Sequence, residues 1–245
     1  MRIICVYKTG GDYDARYVEA FHSAVQKFIH TKFDFYCLTD AAHELSYIGG
    51  INILELKHNL PGWWSKIELF RPDISYEGTT IYFDLDVLLV KSIDRFVEKC
   101  IASAVPMMLR SCDPIGEQND WPSSSIMSWK GRGMNRIYYE FVRQGNVIEN
   151  SRTKTKRAGQ QTDQGFIREI INPGKFQDVL LEDYIVFKYH YLQDPTLFGR
   201  CHILNWTGRP RFHKMGSNFS EIQSIWETRI KLSNQEKWKL KSHQY

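Results

Sequence analysis

Two aspartates inside an apolar segment are the first residues of this sequence whose type and spacing could do chemistry. Asp84 and Asp86 interrupt YFDLDVLLV (residues 82–90), in a stretch whose composition predicts a strand over residues 79–90. Residues two apart on a strand point to the same face, so we expect their Cβ atoms about 6.6 Å apart. Side chains at that spacing can bend to share one divalent cation, and carboxylate oxygens are the ligands that Mg²⁺ and Mn²⁺ prefer.

The cost of burying charge is the reason to expect a cation there. An unpaired carboxylate in a protein interior is strongly unfavourable, and a metal ion bound by Asp84 and Asp86 would remove that cost. A helix cap or a salt bridge to Lys or Arg would also remove it, so this alternative stays open. A second pair with the same spacing, Asp12 and Asp14, stands beside two glycines where a helix is predicted to begin. We interpret that pair as helix caps.

Predicted strands and helices alternate along the first half of the chain. Strands are expected at residues 3–7, 33–38 and 51–56, and helices at 14–29 and 62–70. This alternation predicts a largely parallel sheet with helices on both faces, in which ligands bind outside the carboxyl ends of the strands.

The second half is predicted to be less regular. Its expected elements are a strand at 123–129, helices at 134–143 and 162–171, and strands at 184–189 and 202–206. Since no linker or repeat separates these elements, we predict one domain over residues 1–215. A basic helical extension over residues 216–245 follows it.

The overall composition excludes several classes of protein. The chain has 245 residues, 42% of them hydrophobic, and a net charge of +4, which is too small to argue for a nucleic-acid partner. Five cysteines are dispersed without a CxxC pair, which indicates reduced thiols. The N-terminal MRIICVY does not resemble a signal peptide, and no apolar run approaches the roughly 20 residues of a membrane span. We therefore expect a cytoplasmic protein.

Six ordered blocks carry a resemblance to a known family. They are CVYKTGGDYDARYVEAF, GWWSKIELFRP, YFDLDVLLV, SSIMSWKG, TDQGFI and TGRPR, which together span most of residues 1–212. In these blocks the sequence resembles bacterial and phage-type GT-A glycosyltransferases, distantly similar to glycosyltransferase family 8, which includes galactosyltransferases and glycogenin. The resemblance implies a GT-A type α/β fold, a single Rossmann-like domain with a mostly parallel mixed sheet flanked by helices. It also implies a nucleotide diphosphate sugar donor, usually a UDP-sugar, and a Mn²⁺ or Mg²⁺ ion.

The same resemblance implies roles for individual residues. Asp84 would face the ribose and the metal, and Asp86 would be the firmer metal ligand. Lys66 matches a basic position near the donor, and Asp163 and Gln164 match a pair that touches the donor sugar; these three are the predicted catalytic residues. Predicted donor-binding residues are Tyr7, Lys8, Thr9, Gly10, Asp84, Gly208 and Arg209, and the loop that cradles the nucleobase would continue through Gly11, Asp12 and Tyr13. From residue chemistry alone, Lys66 could be a surface lysine and Asp163 an ordinary first-turn helix residue.

The sequence departs from the family at the third metal ligand. The family has a histidine either just before the C-terminal glycine or three residues earlier, where this chain has Thr207 and Asn205. We assign Asn205 as the third metal ligand, although an amide oxygen is a poorer ligand for Mn²⁺ than imidazole. His202 and His213 are near but out of register. Arg209 and Arg211 suit a diphosphate, because guanidinium groups bind phosphate with two hydrogen bonds.

The predicted function is metal-dependent transfer of a sugar from a nucleotide diphosphate sugar to a glycan, a lipid-linked acceptor or another acceptor, with retention of configuration. Asp113 and Glu117 are candidate acceptor-side acids. The alternative is a non-catalytic module that binds a nucleotide sugar or a glycan. A nucleotidyl- or phosphotransferase is disfavoured, because the sequence has neither a P-loop nor a kinase catalytic-loop motif.

The C-terminal segment raises a further question of location. It combines tryptophans with lysines, which favours either peripheral contact with the inner membrane face or a solvated helix packed on the domain. The residues concerned are Trp226, Lys237, Trp238, Lys239 and Lys241.

Overall fold

The computed structural model describes residues 1–111, 121–154 and 160–230. The strands within these ranges are β1 (Arg2–Tyr7), β2 (Asp34–Thr39), β3 (Ile51–Glu55), β4 (Tyr76–Phe83), β5 (Val87–Leu89), β6 (Met107–Arg110), β7 (Pro122–Gly131), β8 (Gly174–Lys175), β9 (Ile185–Phe187) and β10 (Ile203–Asn205). The α-helices are α1 (Ala15–Phe28), α2 (Ala42–Leu45), α3 (Asp94–Ala102), α4 (Asn135–Gln144), α5 (Val147–Ser151), α6 (Asp163–Ile170) and α7 (Lys188–Gln193). Residues 220–230 form a further helix, here called the C-terminal helix.

Several short segments are 3₁₀-helical. The longest is Gly62–Phe70, and the others are Pro72–Ile74, Phe176–Asp178, Pro195–Gly199, Phe212–Lys214 and Ser217–Phe219. The sequence predicted a helix over residues 62–70, and the structure confirms the position while giving it the tighter 3₁₀ form.

The main sheet has seven strands in the order β3-β2-β1-β4-β7-β6-β8. Strands β1 to β4 are parallel, β7 runs antiparallel to both β4 and β6, and β8 is parallel to β6. A second sheet of three strands has the order β5-β10-β9. The predicted fold class, a mostly parallel mixed sheet flanked by helices, is therefore confirmed.

The order of the strands determines where a ligand can bind. From β1 the chain builds β2 and β3 on one side, then returns to place β4 on the other side of β1. The loops that leave the carboxyl ends of β1 and β4 therefore diverge, which opens a crevice between them, as in other doubly wound sheets.

Alternating side chains on the central strands fill two apolar layers. Ile3 and Cys5 of β1 face one layer, which includes Phe21 of α1, whereas Ile4 faces the other layer, which includes Ile67 of the 3₁₀ segment. Successive residues of a strand point to opposite faces, so the apolar run of β1 is buried on both sides. This double burial holds the two strand ends, and hence the crevice, on a rigid base.

Helix α1 begins as the sequence predicted. Asp14 is its N-cap, and its Oδ1 accepts a hydrogen bond from the backbone N–H of Arg16 at 3.0 Å. The side chains of Tyr17, Phe21 and Val25 share the buried face of the helix. The capping interpretation of Asp14 is confirmed, because its side chain satisfies a donor that the first turn leaves without a partner.

The prediction of one continuous strand over residues 79–90 is wrong. Strand β4 ends at Phe83 in the main sheet and β5 begins at Val87 in the second sheet, so residues 84–86 form the crossing between sheets. The backbone turns there, with the N–H of Val87 donating to the carbonyl of Asp84 at 3.2 Å. Asp84 and Asp86 therefore lie on a turn rather than on one strand face.

The C-terminal helix packs on the domain with its apolar side. Ile222 and Trp226 are buried, and the Trp226 ring lies 5.1 Å from that of Tyr17 and 6.2 Å from that of Phe212, centroid to centroid. Trp226 is therefore turned away from any membrane surface. Trp238 and the three lysines of the tail lie outside the described residues. Within the described ranges, no helix is long and apolar enough to cross a membrane.

A buried histidine makes the stability of the fold depend on pH. His22 of α1 is 4% exposed, and its ring centroid lies 4.7 Å from that of Phe35 on β2. Burial lowers the pKa of His22 from 6.5 to about 4, because the charged imidazolium loses its hydration. Between these two values the unfolded chain binds a proton that the native state does not bind, so stability falls as the pH falls.

We expect the free energy of unfolding to decrease by about 2 kcal/mol from this group between pH 7 and pH 5, at 1.36 kcal/mol per pKa unit. Urea unfolding at the two pH values measures the loss, and His22→Gln should remove that part of it. The matched control is His43→Gln, since the side chain of His43 is exposed. Equal pH dependence in the wild type and His22→Gln would contradict the prediction.

Candidate active site

A cleft of about 690 Å³ opens at the carboxyl ends of β1 and β4. The predicted site residues that line it are Lys8, Thr9, Gly10, Lys66, Asp84, Asp86, Asp163 and Gln164. The structure thus brings together residues from four separate segments of the sequence. Tyr7, Asn205, Gly208 and Arg209 are not among the residues that line this cleft.

Lys66 is buried in the centre of the cleft floor. Its Nζ lies 3.0 Å from Asp84 Oδ1 and 3.3 Å from Asp163 Oδ2, and it donates to Ser124 Oγ at 3.2 Å. Burial by itself lowers the pKa of Lys66, but the carboxylates of Asp163 and Asp84 outweigh this effect and raise the pKa above its usual value. Lys66 is therefore a fixed cation that bridges two acids, not a surface lysine.

Ser124 joins the first two residues of α6 to this centre. Its hydroxyl donates to Asp163 Oδ2 at 3.0 Å, and its backbone N–H donates to Gln164 Oε1 at 3.1 Å. Burial raises the pKa of the Asp163 carboxyl, while the Lys66 ammonium acts in the opposite direction. Sequence analysis missed Ser124, since serine in a strand carries no signal of its own; its position in SSIMSWKG was the only indication.

Asp84 is fixed by groups from three elements. Its carboxylate accepts hydrogen bonds from the Tyr82 hydroxyl and from Lys66, and its backbone N–H donates to the carbonyl of Ser125 on β7 at 2.8 Å. These bonds hold the turn after β4 against the neighbouring strand.

Asp86 faces a different set of partners. Its Oδ2 accepts a hydrogen bond from the Tyr13 hydroxyl at 2.9 Å and forms an ion pair with Arg211 Nη1 at 2.7 Å. Burial and repulsion from Asp84 raise the pKa of Asp86 to about 6, although Arg211 opposes the change. Asp86 is 5% exposed, and its Oδ1 has no hydrogen-bond partner within the described residues.

Asp12 pairs with arginines and does not cap a helix. Arg209 Nη2 lies 3.1 Å from Asp12 Oδ1, and Arg211 Nε lies 3.2 Å from Asp12 Oδ2. The helix-cap interpretation of the Asp12 and Asp14 pair is therefore wrong for Asp12. Its arginine partners lie almost 200 residues later in the chain, so no local pattern could have indicated them.

Asn205 lies beside the acid turn. It ends β10 opposite Val87 of β5, and the backbone N–H of the next residue, Trp206, donates to the carbonyl of Asp86 at 3.1 Å. Asn205 is fully buried, and within the described residues neither its amide oxygen nor its amide nitrogen has a hydrogen-bond partner. Buried polar atoms of this kind are rare in native proteins and call for a partner such as a bound ion or water.

The two nearby histidines, His202 and His213, form hydrogen bonds with other partners. His202 Nδ1 hydrogen-bonds to the carbonyl of Ser92 at 2.5 Å, and its ring stacks on Tyr184. His213 Nδ1 hydrogen-bonds to the hydroxyl of Tyr17 at 2.7 Å. Neither histidine bonds to Asp84 or Asp86 in the described structure, which agrees with their being out of register.

The chemistry of these donors fits a hard divalent cation. Asp86 Oδ1 and Asn205 Oδ1 are buried oxygens without partners, and Asp84 supplies a further carboxylate on the same turn. Mg²⁺ and Mn²⁺ accept such oxygen ligands and complete their shells with phosphate oxygens. No group of three His, Cys, Asp or Glu side chains in the described ranges has metal-binding geometry, so the ion would depend on Asn205 and on the ligand.

The loop after β1 is held by one acid. Asp40 accepts hydrogen bonds from Lys8 Nζ, from the backbone N–H of Thr9 at 2.9 Å and from the Thr9 hydroxyl at 2.8 Å. Burial would raise the pKa of Asp40, but these hydrogen bonds lower it to about 2. Gly10 has φ +79°, a conformation that favours glycine, and it lets the backbone approach a ligand closely.

The remaining predicted donor residues lie away from the cleft lining. Tyr7 is buried in the apolar layer and donates its hydroxyl hydrogen bond to Glu44 at 2.5 Å. Gly208 has φ +80° in the loop after β10, and the carbonyl of the next residue, Arg209, accepts a hydrogen bond from Lys188 at 2.9 Å. Their contacts with a donor stay predictions. Asp113 and Glu117 lie outside the described residues.

Sequence analysis also missed an aromatic residue at the mouth of the cleft. Trp63 lines the cleft and is 59% exposed, whereas its neighbour Trp64 is buried against Phe141 and Phe166, as predicted. A 3₁₀-helix has three residues per turn, so Trp63 and Lys66 lie on the same face of this segment, about 6 Å apart along its axis.

Comparison with known proteins gives no match in sequence but clear matches in structure. No protein-family model matches the chain, and no curated protein matches its sequence. The glycosyltransferase GlyE of Streptococcus pneumoniae TIGR4 is similar over 98% of this chain and 63% of its own, with 14% identity and a TM-score of 0.59. The bifunctional glycosyltransferase WbbM is similar over 94% of this chain and 49% of its own, with 8% identity and a TM-score of 0.57. This chain thus spans less than two thirds of each of these two proteins.

A third solved structure matches over nearly its full length. The galactosyltransferase LgtC, in complex with donor and acceptor sugar analogues, is similar over 93% of this chain and 96% of its own, with 12% identity and a TM-score of 0.61. At identities this low the likeness establishes the fold. The strand order, the crevice at the ends of β1 and β4 and these three structures together identify the fold of this chain as that of the GT-A type glycosyltransferases.

Proposed function

We propose that the protein transfers a sugar from a nucleotide diphosphate sugar, with UDP as the nucleotide, to a carbohydrate-containing acceptor. The observation that carries this proposal is the convergence of Asp84, Asp86, Lys66, Asp163 and Gln164 in one cleft. Their contacts make a charged floor at the place where an α/β sheet of this order binds ligands. The structurally similar proteins are described as glycosyltransferases, which supports the same class of reaction.

The ion in this proposal is Mn²⁺ or Mg²⁺, held by Asp84, Asp86 and Asn205. Two buried oxygens without partners, Asp86 Oδ1 and Asn205 Oδ1, support it. When bound, such an ion supplies positive charge to the diphosphate as that group leaves. Asp86 would hold the ion more firmly than Asp84, because Asp86 Oδ1 has no partner within the described residues, whereas both carboxylate oxygens of Asp84 accept hydrogen bonds.

The protein's own groups orient the donor and balance its charge. Arg211 lines the cleft with two ion pairs, and its guanidinium can exchange these for diphosphate oxygens. Lys66 pairs with Asp163 and fixes its position, so that this carboxylate can accept hydrogen bonds from hydroxyls of the donor sugar. Ser124 fixes the amide of Gln164 at the same end of the cleft. Groups fixed before the reaction need no reorganisation in the transition state.

The ion pairs formed by the carboxylates of the cleft favour transfer with retention of configuration. An inverting enzyme needs a carboxylate base that is available to take the acceptor proton. Every carboxylate that lines the described part of the cleft forms an ion pair with lysine or arginine: Asp12, Asp84, Asp86 and Asp163. We therefore propose a retaining transfer, and NMR of the anomeric proton in the first product tests it.

The acceptor in this proposal carries a sugar ring that Trp63 contacts. An exposed tryptophan at the mouth of a cleft offers a large apolar face, and ligand sites characteristically combine such faces with a few placed polar groups. A glycan or a lipid-linked glycan has both kinds of surface. Trp63 is exposed in the lining of the cleft whose buried part holds Lys66, so an acceptor that enters after the donor could reach it.

Location in a reducing cytoplasm is supported by the cysteines. All four cysteines in the described ranges are free and buried: Cys5, Cys37, Cys100 and Cys201. Peripheral contact with the inner membrane face would have to use the tail beyond residue 230, since Trp226 is buried. Co-sedimentation with anionic vesicles at low and high salt tests that contact.

The first test of the function is Asp86→Asn. With a panel of UDP-sugars and Mn²⁺, the wild type should release UDP, and the variant should be slower by about 100-fold. The reason is that an ion's stabilisation of developing charge amounts to several kcal/mol, and each 1.36 kcal/mol is tenfold. Enzyme-coupled detection of UDP measures both rates.

Asp14→Asn is the matched control, because it makes the same change in the other Asp-x-Asp pair. Asparagine caps helices as well as aspartate does, so this variant should keep the fold and the rate. Calorimetry with Mn²⁺ and UDP-sugars distinguishes the alternative function. Binding of a UDP-sugar with no UDP release from any member of the panel would favour a non-catalytic module.

Trp63→Ala tests the acceptor side. Loss of a contact made equally in the ground and transition states raises KM without changing kcat. We expect the KM for the acceptor to rise about tenfold, equivalent to 1.4 kcal/mol, while the KM for the donor stays the same. Initial rates at varied acceptor and varied donor measure the two constants. A rise in the donor KM alone would assign Trp63 to the donor instead.

A further inference from the structure

A guanidinium occupies one side of the acid that the proposed metal ion requires. Arg211 Nη1 lies 2.7 Å from Asp86 Oδ2, its Nε lies 3.2 Å from Asp12 Oδ2, and its guanidinium carbon lies 4.6 Å from the centroid of the Tyr13 ring. We infer that Arg211 and a divalent cation exchange at Asp86, and that the nucleotide diphosphate drives this exchange. The inference rests on the proposed function.

In the free protein, separation of Arg211 from Asp86 is energetically unfavourable. Asp86 is buried, and Asp84 lies on the same turn, so departure of Arg211 alone would leave a buried carboxylate next to a second one. Loss of one partner from a buried ion pair is strongly unfavourable. The side chain of Arg211 is itself only 17% exposed, so water can replace its partners poorly. Without a replacement cation, the ion pair between Arg211 and Asp86 stays intact.

A nucleotide diphosphate changes this balance. It carries several negative charges and presents pairs of oxygens that match the two parallel N–H groups of a guanidinium. Arg211 lines the same cleft as the loop after β1, so the diphosphate arrives within reach of its side chain. Movement of Arg211 onto the diphosphate frees Asp86 Oδ2 at the moment when the ligand adds negative charge to the cleft.

Two oxygens at or beside the acid turn are available to the incoming ion. Asp86 Oδ1 and Asn205 Oδ1 have no hydrogen-bond partner within the described residues, and release of Asp86 Oδ2 adds a third oxygen. The acids therefore stay compensated in both states, first by Arg211 and then by the ion.

Lys66 cannot take part in the same exchange. It bridges Asp84 and Asp163 and also bonds to Ser124, so it is fixed from three sides. Arg211 is thus the cation that moves and Lys66 the cation that stays. Metal and nucleotide should consequently bind with positive coupling, and by linkage each raises the affinity of the other by the same factor.

Mn²⁺ binding tests the exchange without measuring transfer. The electron paramagnetic resonance signal of free Mn²⁺ is titrated with protein, with and without UDP, and UDP affinity is measured by calorimetry with and without Mn²⁺. In the wild type we expect UDP to raise Mn²⁺ affinity by tenfold or more, within the usual range of coupling. In Arg211→Gln we expect Mn²⁺ alone to bind about tenfold more tightly than to the wild type, and the effect of UDP to shrink correspondingly.

Two further variants keep this test specific. Arg209→Gln is the matched control, because Arg209 pairs with Asp12 but not with Asp86 and its side chain is 78% exposed. It should bind Mn²⁺ alone as the wild type does. Arg211→Lys keeps a cation at Asp86 and should also bind Mn²⁺ alone like the wild type. Thermal unfolding of each variant shows whether it is folded.

The outcomes separate this inference from the proposed function. If Arg211→Gln is folded and binds Mn²⁺ alone no more tightly than the wild type, the exchange is refuted while metal-dependent transfer stands. If the wild type binds Mn²⁺ equally with and without UDP, the exchange is refuted as well. If the wild type binds neither Mn²⁺ nor UDP when both are present, the proposed function itself fails.

Discussion

Compensation of buried negative charge is the constraint on which the candidate site depends. Four carboxylates converge where β1 and β4 end, and two cations bridge them in pairs. Lys66 joins Asp84 to Asp163, and Arg211 joins Asp86 to Asp12. Asp86 Oδ1 stays without a partner within the described residues, which leaves a place for a further cation. Each bridging cation also has a further contact that holds it in place: Lys66 bonds to Ser124 Oγ, and the guanidinium of Arg211 lies over the Tyr13 ring.

The crossing between the two sheets separates the two aspartates of the central motif. Asp84 directly follows β4 of the main sheet and pairs with Lys66. Asp86 directly precedes β5 of the second sheet and pairs with Arg211. A single strand would have pointed both carboxylates at one set of neighbours. The turn instead gives each acid its own cation, one fixed and one less enclosed. Different roles for two residues of the same type therefore follow from backbone geometry rather than from their chemistry.

The sequence correctly predicted those features of the structure that depend on interactions between residues close together in the chain. The cap at Asp14, the buried face of α1 and the inward position of Trp64 depend on neighbours within one or two turns, and all three were foreseen. The break after Phe83 was not foreseen, because apolar residues on both sides of it look the same whether the chain continues in one sheet or crosses to another. Exposure of Trp63 follows once Trp64 is placed inward, but its position at the cleft mouth depends on the tertiary fold.

The sequence predicted which residues lie in the candidate site more completely than it predicted the contacts between them. Resemblance placed Asp84, Asp86, Lys66, Asp163 and Gln164 in one region, and the structure brings them into one cleft. It could not supply the pairing of Asp12 with two arginines, since contacts across almost the whole chain leave no periodic trace. Contacts between residues close together in the chain could be predicted, whereas contacts between residues far apart in the chain could not.

The distance along the chain between Arg211 and its partners also has a consequence for biosynthesis. Asp86 and Arg211 are 125 residues apart, and Asp12 and Arg209 are 197 apart. During translation the first four strands can assemble long before the segment after β10 leaves the ribosome. A nascent chain at that stage would thus carry Asp12 and Asp86 without their arginine partners. Their pairing is completed only when the segment after β10 folds onto the sheets, so a chain cut before Arg209 would leave both acids without a counter-ion.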